Sequence, residues 1–221
     1  MTAETFVPRA GGARGVSYRL AVPPGVLRLP GHILDQLPLI ETQLNRADLA
    51  AEVGRAVAAL SASGPRAATD VLDSYVTAGV LPDCGLAMSI VVSATSLSQE
   101  KRHGMTADLA HHGGLGRAAL TVGGEAAVVL EAPLSTAGRS LIGVGRVLRT
   151  KTVLSRVPGD DEVVISFALL VAQLGAAASP DVSEDETQAV ADALVELFDA
   201  MMTTVRWLDD QGRVITDRPT T

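Results

Sequence analysis

The ten residues from Ala110 to Ala119, AHHGGLGRAA, gather a histidine pair, three glycines and an arginine. They contain a G-x-G-x-x-A spacing from Gly114 to Ala119. Three readings compete: a nucleotide loop, a metal site, or the end of a helix. A dinucleotide fingerprint needs a strand before it and a helix after it, so that the helix N-terminus meets the pyrophosphate. Here the preceding residues read as helix and the following AALTV reads as strand. The order is reversed, and no cofactor is expected.

His111 and His112 are adjacent, and neighbouring side chains diverge on a helix. His103 lies across a polar loop and His32 is remote. The histidines fit a helix C-terminus, where they complement the dipole and Gly113 or Gly114 supplies the left-handed cap. No metal site is expected. Nor does the chain carry G-x-S-x-G, H-E-x-x-H or a Walker A loop. A hydrolase built from His111 or His112 and distant carboxylates is the remaining catalytic possibility, because triads assemble in space. Cys84, in PDCGL, has no local base and reads as a small packed thiol. The acidic run Glu184 to Glu186 reads as helix-start electrostatics, and Asp160, Asp161 and Glu162 as a solvated turn.

Arg139, Arg146, Arg149, Lys151 and Arg156 place five of the eighteen positive charges within eighteen residues. On an exposed strand they would form a surface for an acidic protein partner. The alternative is edge protection, with charges discouraging strand-to-strand aggregation. Glycine-rich loops ending at Arg117 and Arg146 offer a second binding mode, since successive backbone N–H groups can nest an anion.

The elements that must position these residues are read from periodicity. Residues 1–16 lack a pattern and read as a mobile lead-in. Tyr18 to Val22 alternates as a strand, and VLRL follows a Pro-Pro-Gly turn. Asn45 caps a helix carrying Leu49, Val53, Val57 and Leu60. Pro65 opens a second helix with Val71, Leu72, Tyr75 and Val76. The two form a predicted helical hairpin. Leu86 to Ala94 is apolar and β-branched, hence a strand. Ala118 to Val122 and Ala126 to Glu131 flank Gly123-Gly124 as a β-hairpin. Arg146 to Val157 reads as a long, partly exposed strand. Glu162 to Ala172 is nearly continuously apolar and is placed at the sheet centre. Ser183 and Glu186 form a capping box for an amphipathic helix of about six turns. The predicted fold is α+β: a mostly antiparallel sheet covered by an early helical hairpin and a long C-terminal helix. One domain spans 17–208, and 209–221 is a polar tail.

Composition narrows the partners. A chain of 221 residues with 47% hydrophobic content can bury a substantial core. A net charge of −7 and 3% aromatic residues argue against a nucleic-acid partner, which needs cations and stacking rings. One cysteine excludes an internal disulfide and a thiolate zinc site within the chain. No apolar run reaches membrane-spanning length, and the first residues lack a secretion signal's apolar stretch. These features predict a cytoplasmic protein, with homo-oligomer formation left open.

Three short stretches carry a resemblance: YRLAVPPGVLRLP from Tyr18, VGGEAAVVLEA from Val122 and ALVELFDAMMTTVRW from Ala193. In their order they resemble uncharacterised actinobacterial proteins associated with type VII (ESX) secretion loci, and the broader Mog1/PsbP-like fold. The matching motifs are Val22 to Gly25, Gly124 to Val128 and Phe198 to Trp207. They are structural, so no functional residue carries over. The resemblance implies a non-catalytic binding or assembly factor with an antiparallel sheet between helices. The predicted helical hairpin departs from that pattern, and the lipid-anchor cysteine of secreted relatives is missing. From sequence the function is a non-catalytic interaction or accessory protein. The alternative is a small-molecule or anion-binding domain using the Gly/Arg-rich loops.

Overall fold

A computed structural model describes residues 2–7, 16–30, 69–77, 84–96, 121–130, 140–141, 145–178 and 182–215. In chain order the strands are β1 (Thr2–Val7), β2 (Val16–Ala21), β3 (Val26–Pro30), β4 (Thr69–Thr77), β5 (Cys84–Ser96), β6 (Thr121–Val122) and β7 (Glu125–Leu130). They continue with β8 (Ser140–Leu141), β9 (Gly145–Val157) and β10 (Asp160–Ala178). Helix α1 (Glu184–Thr203) and β11 (Arg206–Leu208) complete the set.

Two antiparallel sheets result. The larger has eight strands, in the order β3-β4-β5-β10-β9-β7-β6, with β8 paired to β9. The smaller has three, in the order β1-β2-β11. β10 lies between β5 and β9, as its apolar run predicts. Its residues Val163, Ile165, Phe167, Leu169 and Val171 point to one side, into the main core. Leu86, Met88, Ile90 and Val92 of β5 do the same, following the two-residue period of a strand. Tyr18 and Leu20 of β2 and Ala191, Leu194, Phe198, Met201 and Met202 of α1 close that core from above. One face of the large sheet is thus covered by the small sheet and the C-terminal helix together.

α1 forms where the sequence places it. The Ser183 hydroxyl accepts from the Glu186 backbone N–H at 3.2 Å, and the Glu186 carboxylate accepts from the Ser183 N–H at 2.9 Å. This reciprocal pair satisfies donors the helix itself leaves open. Those bonds hold the Glu186 carboxyl below its ordinary range, the backbone bond first.

The predicted helical hairpin is corrected. Its second helix is the strand β4, paired with β3 and β5. Val71, Leu72, Tyr75 and Val76 fit a helical spacing, but they equally fit a strand buried on both faces. From Asp73 to Thr77 every residue is buried, so neither face carries the polar alternation that marks a half-exposed strand. Valine, threonine and tyrosine favour that setting. The first helix, from Asn45 to Leu60, lies outside the described residues, as does the helix end read at His111 and His112. Among the described residues α1 is the single helix, and the fold is predominantly antiparallel sheet.

Two short strands were not legible. Thr2–Val7, within the stretch read as a lead-in, pairs along its whole length with β2. Arg206–Leu208 pairs with the other edge of β2. The Gly123-Gly124 hairpin forms as read, joining β6 to β7.

Candidate functional site

The cationic stretch of β9 is the clearest feature that sequence and structure share. In a regular strand, residues three apart face opposite sides. Arg146 and Arg149 nevertheless share a face, because β9 carries one extra residue against β10. Arg149 pairs with Val171, Val147 pairs with Ala172, and Leu148 is the unmatched residue between them. The bulge buries Leu148 and inverts the face alternation between Arg149 and the residues before Leu148. Arg146, Arg149 and Lys151 therefore line up on the side that α1 covers.

Each meets an acid of that helix. Arg146 reaches Glu184 at 2.7 Å, Arg149 reaches Asp192 at 2.7 Å, and Lys151 reaches Asp199 at 2.8 Å. Arg149 also donates to Gln188 at 2.6 Å and to the Leu148 carbonyl at 2.8 Å. The pairing order shows that α1 runs in the same direction as β9. The pairs differ in shielding. Arg146 and Glu184 are 52% and 66% exposed, so water screens them. Lys151 is only 12% exposed, and its ammonium meets the Asp199 carboxylate.

The five predicted partner-binding residues are not all brought together. Arg156 lies opposite Val164, on the other face of the sheet from the three paired cations. Arg139 lies outside the described residues. So do Arg117 and the Gly113–Arg117 loop, along with His32, His103, His111 and His112. Arg146, the other predicted anion ligand, holds Glu184. Cys84 opens β5, and its side chain is outside the described set. Among the described residues no group of three or more His, Cys, Asp or Glu could hold a metal ion. Asp160, Asp161 and Glu162, read as a solvated turn, instead open β10 just after the turn at Pro158 and Gly159, and the Asp160 carboxylate accepts from the Glu162 N–H at 2.9 Å.

A second constellation escaped sequence reading. Asp73 on β4 is fully buried. It accepts from the Tyr18 hydroxyl at 2.6 Å and from Arg28 Nε at 2.8 Å, with Arg28 Nη2 at 3.4 Å. Burial, and then the neighbouring Tyr75 and Asp73, hold the Tyr18 phenol protonated far above its ordinary range. Burial pulls the Arg28 guanidinium down, but the hydrogen bond and charge of Asp73 outweigh it and raise the net value. A phenol so held is a donor, not a base or nucleophile. The three residues come from β2, β3 and β4 and tie the small sheet to the large one. Asp73 inside the apolar run VLDSYV was the available signal, since a charge at a buried strand position requires a partner. Its partners, 55 and 45 residues away, carry no mark of the pairing.

The indole of Trp207 fixes the other end of the small sheet. It is fully buried and donates to the Val122 carbonyl at 3.1 Å. Gly123 stands against it at φ +60°, and a Cβ there would lie 2.6 Å from the indole. The glycine hairpin is therefore shaped by the tryptophan as well as by its turn.

No family model matches the chain, and no curated protein matches it. Among solved structures it is similar to LpqN, described as involved in cell envelope biogenesis of Mycobacterium tuberculosis. The identity is 14% and the TM-score 0.42, over 93% of this chain and 91% of that one. The likeness is a weak one. No described helix is long and apolar enough to cross a membrane.

Proposed function

We propose that this chain is a non-catalytic interaction protein, serving as an accessory of a type VII secretion locus. The observation that carries the first part is the use made of charge. The cations of β9 hold α1, and Asp73 is enclosed by Tyr18 and Arg28, so these groups serve the scaffold. What the described residues then offer a second molecule is surface for contact. The secretion link rests on the resemblance of the motifs at Val22 to Gly25, Gly124 to Val128 and Phe198 to Trp207.

The test is a titration of the purified chain against the purified products of the type VII locus in its source genome, followed by calorimetry. Saturable binding to one of them supports the reading. No binding to any, together with turnover of a small molecule by the chain alone, would overturn it.

A further inference from the structure

We draw no further inference here: the strongest candidate, the second face of the eight-stranded sheet around Ser89, whose hydroxyl has no hydrogen-bond partner among the described residues, carries nothing because nothing in the structure shows what covers it.

Discussion

The Tyr18 hydroxyl donates to the Asp73 carboxylate at 2.6 Å, a buried hydrogen bond that joins the two sheets. The same tyrosine ring lies edge-on to Phe167 of β10 at 5.9 Å and to Trp207 of β11 at 6.3 Å. One residue thus contacts the centre of the large sheet, its β4 strand and the edge strand of the small sheet. Removing the carboxylate leaves both Tyr18 and Arg28 without it. Asp73→Ala should cost about 3–5 kcal/mol, as for breaking a buried ion pair. Tyr18→Phe keeps the ring contacts and the Arg28 pair, and should cost about 1–3 kcal/mol. Urea unfolding of both variants checks this order. Equal, sub-kilocalorie losses would remove Asp73 from its structural role.

The two turn glycines should respond differently to alanine. Both have positive φ, at +60° for Gly123 and +88° for Gly124. Only Gly123 faces the indole; a Cβ on Gly124 meets open space. Gly124→Ala should therefore cost about 1–2 kcal/mol, the left-handed strain alone. Gly123→Ala adds an overpacking clash of about 1–3 kcal/mol to the same strain. Thermal unfolding distinguishes them, and indole fluorescence should shift only for Gly123→Ala. Identical behaviour of the two variants would show that Trp207 does not set the turn.

Acid should weaken the C-terminal helix and the turn that follows it. Glu186 is held below its ordinary range by the backbone and side chain of Ser183. Asp209 is held below its range by hydrogen bonds from the Arg213 backbone and then its side chain. A depressed folded pKa means that the folded state binds fewer protons than the unfolded one. The stabilisation is complete above the ordinary carboxylate range and is lost as pH falls through the depressed values. Stability measured from neutral to acid pH should fall over that window. In Ser183→Ala the acid loss should be smaller but not absent, because the backbone bond to Glu186 stays. At neutral pH that variant should lose about 1 kcal/mol, as N-cap truncations do. An unchanged acid profile in Ser183→Ala would separate the cap from the pH response.

Helix α1 and the glycine hairpin were legible because their signals are local. Ser183, Glu186 and the buried apolar positions from Ala191 to Met202 lie on one continuous stretch, and Gly123-Gly124 defines its own turn. The centre of β10 was legible because a strand buried on both faces becomes a run of apolar residues. The same double burial hid β4, where Asp73, Ser74 and Thr77 are polar yet enclosed. The cations of β9 were visible as a group, but their grouping depends on a bulge at Leu148 and on acids some forty residues later. Nothing in the spacing of Arg146, Arg149 and Lys151 shows which face they share. Arg28, Tyr18 and Asp73 meet because β3 pairs with β4 and β2 of the small sheet lies against them.

That α1 is the acidic counterpart of the β9 cations is tested most directly by a double-mutant cycle on Lys151 and Asp199. Their pair, at 2.8 Å with Lys151 12% exposed, is the most shielded of the three. Stability would be measured for the native chain, Lys151→Met, Asp199→Ala and the double variant. A coupling of about 0.5–1 kcal/mol, shrinking in high salt, is the predicted result. Additive losses, with no coupling at low salt, would contradict the pairing.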